Sequence, residues 1–362
     1  MATTLHLTGP VLVGPQDVRA EAWVVGGRLT FGRPSAPGAD VVRLDGWVLP
    51  GLVDAHCHVG LGPQGAVDRP TAERQALDDR AAGTLLIRDA GSPADTRWVQ
   101  EREDLPKLVR AGRHIARTGR YIRGFAHEVE PDQLVEQVRL EARAGDGWVK
   151  LVGDWIDRDT GDLAPCWPRE VLVEAVAAAH EEGARTTAHC FGPDSLRDLV
   201  AAGTDCVEHG TGLVADTIEE FAAQGVAVVP TLVNIATFPS IAEPARERFP
   251  AYHRRMLDLH ERRYATIGAA HEAGVPLYVG TDAGGSLPHG LVAREVAELV
   301  WAGLSPLEAL HAGTWGAREW LGRPGLAEGE DADLLVLDAD PRTDVGALAS
   351  PRHIVLRGTR VS

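Results

Sequence analysis

Six side chains with metal-binding chemistry stand in or at the ends of short apolar runs of this 362-residue chain. His56 and His58 close LVDAHCH, Lys150 lies in WVKLVG, His189 closes RTTAHC, His209 ends the apolar part of DCVEHG, and Asp282 closes PLYVGTD. His56 and His58 are two apart, so on a strand their side chains leave one face while Cys57 leaves the other. Neutral imidazole is a favoured nitrogen ligand for Zn²⁺, and the Asp282 carboxylate adds a hard, anionic donor. Singly, each histidine is weak evidence, because structural histidines are common. The force of the pattern is that all of them fall at the same end of different runs.

Lys150 raises a different chemistry. The chain has 36 basic residues, and only Lys107 and Lys150 among them are lysines. An amine inside an apolar run is driven toward its neutral form. A neutral amine can take up carbon dioxide as a carbamate, whose two oxygens can bridge two cations. The plainer alternatives are a lysine that reaches solvent along its own stem or one paired with a carboxylate such as Asp154. Asp54, one step deeper on the face of His56, is expected to hydrogen-bond beneath the site rather than to ligate.

Such residues need a frame that brings strand ends to one mouth. From Leu5 to Leu49 short apolar runs alternate with Gly and Pro turns, the rhythm of small antiparallel strands. Past Gly51, β-like runs at 52–58, 84–90, 114–120, 148–153, 185–190, 205–210, 227–232 and 276–282 alternate with helix-like stretches such as REVLVEAVAAAHEEGA and DTIEEFAAQG. Eight βα units are the number that closes a (β/α)8 barrel, whose active sites lie at the C-terminal strand ends. An open doubly wound sheet is the alternative. After SPLEALHAGTWGAREWLG the strand-like text returns in ADLLVLDAD and RHIVLRGTRVS. The sequence therefore predicts an α/β protein, with a catalytic TIM-like barrel over 51–325 and a small β-sandwich domain built from 1–50 and 326–362.

Composition narrows the partners. With 44% hydrophobic and 24% charged residues the chain can bury a sizeable core. A formal net charge of −16 argues against nucleic acid and anionic membrane as partners. Four cysteines without a CxxC spacing do not make a disulfide framework, and there is neither a basic-then-apolar leader nor a run of about 18 apolar residues. The expectation is a soluble, reduced, cytoplasmic protein acting on a small molecule; a homo-oligomer is compatible with it.

The string LDGWVLPGLVDAHCHVG resembles the first barrel strand of the amidohydrolase superfamily of metal-dependent hydrolases. TAHC, VEHG and GTDAG resemble its later ligand strands, and GLAEGEDADLLVLDADP its return into the small β domain. The resemblance spans nearly the whole chain and is closest to the imidazolonepropionase and prolidase-like branch. It implies one divalent metal on His56, His58 and Asp282, a second on His189 and His209, and a carboxylated Lys150 bridging them. Zn²⁺ suits these donors, as do Mn²⁺, Co²⁺ and Fe²⁺. Imidazolonepropionase-like and deaminase-like members usually hold one metal and lack this lysine, so Lys150 favours the binuclear, peptidase-like side.

The implied reaction is attack of metal-bridging hydroxide on a polarised carbonyl, with Asp282 as proton shuttle. The leading substrate is a dipeptide or N-acyl amino acid. Alternatives are a lactone, cyclic amide, carbamate or ester cleaved by the same site, a mononuclear deaminase or imidazolone hydrolase, and a scaffold that has lost catalysis. Tyr121, Arg123, His127, Asn234 and His289 are the candidates to meet the substrate. Where prolidase-like relatives usually carry Gly-Gly-His-Gly, this chain has GFAHE.

Overall fold

Strand Leu52–Cys57 is buried at every position, as are Thr84–Asp89, Trp148–Val152, Cys206–His209 and Ala227–Val229. Near-continuous apolar text of this kind is what a parallel strand covered on both faces requires. In the computed structural model, which describes residues 4–35 and 40–362, these strands pair in parallel. Leu52–Cys57 pairs with Thr84–Asp89, which pairs with Lys107–Arg110. A second run goes from His127–Val129 through Ile115–Arg117, Trp148–Val152, Arg185–Cys190 and Cys206–His209 to Ala227–Val229. Two isolated parallel bridges, Val228 to Leu277 and Cys57 to Ala283, connect the runs through residues 277–283.

Two of the expected strands take a different form. The third run, 114–120, is a strand only over Ile115–Arg117, and Lys107–Arg110 before it is a strand outside the expected runs. Lys107–Arg110 pairs with Thr84–Asp89, while Ile115–Arg117 pairs with Trp148–Val152, and residues 111–114 step between the two neighbours. Lys107–Arg110 is hard to read as strand because Lys107 and Arg110 enclose only two apolar residues. Both are committed to carboxylates: Lys107 Nζ to Asp331 and Asp333 at 2.7 and 2.8 Å, and Arg110 to Asp146 at 2.7 Å. The eighth run, 276–282, has bridges and single hydrogen bonds, such as Ala55 N to Val279 O at 2.8 Å, in place of a regular ladder.

Helices follow most strands. Leu134–Ala144, Arg169–Glu181 and Ala215–Gln224 form where the sequence shows helical text, and the last stops at Gly225, whose left-handed φ of 69° closes the helix. The stretch 305–322 forms two helices, Pro306–Ala312 and Trp315–Trp320, the first opened by a Ser305–Glu308 capping box. Among the described residues no helix is long and apolar enough to cross a membrane.

The terminal segments meet where Trp47–Pro50 pairs antiparallel with Leu334–Leu337, which in turn pairs with His353–Leu356. The two layers expected of a sandwich are one hydrogen-bonded eight-stranded sheet. Strand Thr4–Leu12 pairs with Val18–Val25 on one edge and with Val41–Asp45 and Val48 on the other. The sheet encloses its own core of Leu7, Val24, Leu44, Val48, Leu334 and Val336. Gly46 permits the change of partner. Its φ is +149°, and a side chain there would overlap the Leu337 carbonyl.

Candidate active site

His56, His58, Lys150, His189, His209 and Asp282 line one cavity of about 400 Å³ at the C-terminal ends of the parallel strands. The sequence grouped them because each ends or nearly ends an apolar run, and the parallel pairing converts that shared position into one mouth. A larger hollow of about 590 Å³ lies elsewhere, between Pro276, Tyr278, His311 and Trp320, and none of these six residues lines it.

Hydrogen-bond partners decide the tautomers. His58 Nδ1 lies 2.6 Å from the Gly91 carbonyl, which can only accept, so Nδ1 carries the proton. His56 Nδ1 lies 2.5 Å from Glu208 Oε2 and donates to it in the same way. Both Nε2 atoms therefore present lone pairs, and they face each other at 3.3 Å. Asp282 Oδ1 sits 3.1 Å from one and 3.0 Å from the other. Three electron-pair donors converge with no proton among them while the imidazoles are neutral, so this donor set fits a cation.

The second pair is built similarly. His209 Nδ1 meets the Thr231 hydroxyl at 2.7 Å, and its Nε2 lies 3.0 Å from His189 Nδ1. Burial lowers His209 to about 3 and His189 well below its ordinary range, so both rings are neutral and competent as ligands. The buried His189 Nε2 has no hydrogen-bond partner; the Asp154 carboxylate is 3.8 Å away. Burial works against ionisation of Asp282, but His56, His58 and His209 outweigh it and hold the carboxyl well below its usual range. Asn234 Nδ2 donates to Asp282 Oδ2 at 2.6 Å. His209, Thr231 and Asp282 all have left-handed backbones, with φ of 70°, 50° and 57°. Strain of this kind in non-glycine residues collects where a fold has to aim functional groups.

Lys150 is buried, and burial lowers its pKa. Its partner is Glu208, 4.0 Å away, whereas the Asp154 carboxylate accepts from the backbone N–H groups of Phe191 and Gly192. Asp54 lies beneath the site as the sequence suggests, accepting from His56 N, Thr281 N and the Thr281 hydroxyl.

Of the five candidates to meet the substrate, Tyr121 and Asn234 line the cavity. Arg123 is exposed and lies outside it, His127 faces Glu141 at 3.2 Å, and His289 is buried against Asp79 at 2.8 Å. The GFAHE text turns Phe125 rather than its histidine toward the cavity. The His289 ring is drawn away by Asp79 on helix Arg69–Ala81.

Three residues escaped the sequence reading. Glu208, fully buried, binds His56, Arg88 Nη2 at 2.6 Å and the Thr187 hydroxyl at 2.5 Å. Arg88 is equally buried, its guanidinium beside the Trp148 and Trp320 rings. His114 is buried between His58 and Tyr121, with neither ring nitrogen hydrogen-bonded. Glu208 and Arg88 carry the same signal that marks Lys150, a charge inside an apolar run.

The sequence profile of the amidohydrolase family matches residues 47–361. The chain belongs to the amidohydrolase family. This amidohydrolase is 53% identical to an uncharacterised protein of Mycobacterium tuberculosis, over 99% of this chain and 95% of the relative. It is 26% identical to imidazolonepropionase of an Anaeromyxobacter species, over 88% of this chain and 82% of that enzyme. Among solved structures, a Xaa-Pro dipeptidase with methionine in its active site superposes with a TM-score of 0.83 over 99% of this chain and all of the other, at 21% identity, a likeness of fold. The amidohydrolase is thus an enzyme of the hydrolase class that acts on carbon–nitrogen bonds.

Proposed function

We propose that this amidohydrolase cleaves an amide bond of a small substrate at a binuclear metal site. The observation that carries the reading is the inward convergence of unprotonated nitrogens from His56 and His58 on Asp282, with His189 and His209 facing each other in the same cavity. The parallel path through both sheets and the 277–283 bridges is read as the (β/α)8 barrel, with the terminal segments as its small β domain.

In this reading His56, His58 and Asp282 would hold one divalent ion and His189 and His209 the other, and Lys150, carboxylated by carbon dioxide, would supply an anionic ligand shared between them. Zn²⁺ is the first choice, with Mn²⁺, Co²⁺ and Fe²⁺ suited to the same donors. Cations bound there supply an activated water and a Lewis acid for the scissile carbonyl. Asp282 takes the proton of the attacking water and passes it to the leaving nitrogen as the C–O bond forms and the C–N bond breaks. Asn234 orients that carboxylate through Oδ2. Glu208 and the Gly91 carbonyl hold the two imidazole rings in the ligating tautomer.

Metal analysis tests the reading. About two divalent ions per chain are expected, with a carbamate carbon signal after growth or incubation with ¹³C-bicarbonate. Lys150→Ala should lose the signal and the activity, with partial rescue by short carboxylic acids. One ion per chain with a tolerant Lys150 would overturn the bridge in favour of a mononuclear deaminase or imidazolone hydrolase. Turnover of esters or lactones without amides would assign the same site to another bond.

A further inference from the structure

The wall of the catalytic cavity is aromatic. Tyr121, Phe125, Trp155, Phe191 and Tyr252 line it, with the Tyr121 and Trp155 rings edge to face at 4.7 Å. Among the described residues no arginine lines it, and Lys150 is its one ammonium-bearing side chain. Lys150 is only 2% exposed and pairs with Glu208, and as a carbamate it would be an anion. The nearby arginines are engaged elsewhere. Arg120 binds Asp157 and the carbonyls of Trp155 and Ala164, Arg113 binds the carbonyls of Gly124 and Phe125, and Arg123 points to solvent. A substrate carboxylate beside the scissile bond would thus find no free cationic side chain; the only cations near it would be the two ions of the proposed site, which the attacking water and the scissile carbonyl need, and a buried carboxylate without a counter-charge of its own is costly.

The remaining polar groups are neutral donors. Among the described residues, the Tyr121 and Tyr252 hydroxyls and the Trp155 indole N–H make no hydrogen bond to the protein, although all three side chains line the cavity. Such groups suit uncharged acceptors such as a carbonyl, ether or nitro oxygen, and the rings around them suit an aromatic or bulky apolar group, which buries about 150–250 Å² when of aromatic side-chain size.

We infer that the substrate is an uncharged amide bearing an aromatic or bulky apolar group, and not a dipeptide or N-acyl amino acid with a carboxylate next to the scissile bond. The inference rests on the amide-hydrolase reading and narrows it. N-isopropylbenzamide and N-benzoylalanine test it, because they differ only in a methyl group exchanged for a carboxylate. With metal-loaded enzyme, kcat/KM for the neutral member should exceed that for the acid by about 100-fold or more, the discrimination that an unpaired polar group produces in a closed site. Trp155→Ala should raise KM for the neutral amide more than it lowers kcat. Equal or faster hydrolysis of N-benzoylalanine, or of dipeptides such as Ala-Pro, would overturn the inference while upholding amide hydrolysis. If neither member turns over, calorimetry on the metal-loaded protein separates the two claims. Tighter binding of N-isopropylbenzamide would then sink amide hydrolysis and support the assignment of the cavity, whereas equal or tighter binding of N-benzoylalanine would overturn that assignment.

Discussion

Replacing Glu208 with Gln is expected to damage stability and metal binding by separable routes. The Glu208 carboxylate is fully buried and accepts from His56, Arg88 and Thr187 at 2.5–2.6 Å. An amide of the same shape has one acceptor atom, so one of these donors must face an N–H₂ group. The larger effect is on Arg88, whose buried guanidinium loses its carboxylate counter-charge and whose Nη1 already lacks a partner. Removing the counter-charge of a buried ion costs about 3–5 kcal/mol, a large share of the roughly 5–15 kcal/mol that stabilises a typical domain. His56 loses the anion behind its ligating nitrogen, which should weaken metal binding about 10- to 100-fold. The double variant Arg88→Met/Glu208→Gln removes both charges and should regain most of the stability. It should not regain metal affinity, because His56 still lacks an anionic partner. Unfolding is best measured on chelator-treated protein, since bound metal stabilises the native state by mass action, and Zn²⁺ affinity by competition with a chromophoric chelator. The reasoning fails if Glu208→Gln unfolds within about 1 kcal/mol of the parent or if the double variant restores metal affinity along with stability.

Asn234→Ala should lower kcat about 10- to 100-fold, the worth of a hydrogen bond to a charged group, with metal content unchanged; a loss below about threefold would mean that Asp282 does not depend on it. Gly280→Ala should empty the first metal position, since the new Cβ would overlap Val229 Cγ1 and lie 2.7 Å from His56 Cβ; full metal occupancy by elemental analysis would refute this. His289 provides a pH signature. Burial presses its pKa down, but Asp79 outweighs burial and raises it above the ordinary 6.5. Its charged pairing therefore stabilises the fold fully below about pH 6.5 and is lost as pH rises through the folded value. The stability gap between the parent and His289→Gln should shrink as pH rises above about 6.5, and a gap that widens would contradict the pairing.

The candidate metal residues were legible because strand-end position and side-chain type are both written in the sequence. His56, His58, His189 and His209 needed only parallel pairing to meet. Glu208 was harder to see for a geometric reason. Next to His209 on a regular strand it would point to the opposite face, but the left-handed backbone at His209 breaks that alternation and lets both side chains serve the site. His114 opens the expected run 114–120, but the ladder begins only at Ile115, so nothing in the strand pattern marked its ring as facing His58. The rim was least legible. Arg123, His127 and His289 were singled out for charge or ring chemistry, whereas loop conformation decides which way such side chains face, and it selected Tyr121, Phe125 and Trp155.

The pairing of Trp47–Pro50 with Leu334–Leu337 sets an order of events during synthesis. Leu49 meets Leu335, and Val48 meets Val336. The ribosome makes all six candidate metal residues before it makes the strand that completes this sheet. Until then the edge of Trp47–Pro50 presents unpaired N–H and C=O groups, the kind of edge that recruits strands from other chains. The nascent catalytic unit therefore carries an open β edge through most of its own translation, and stalling anywhere between residues 58 and 333 leaves that edge available to a neighbouring nascent chain.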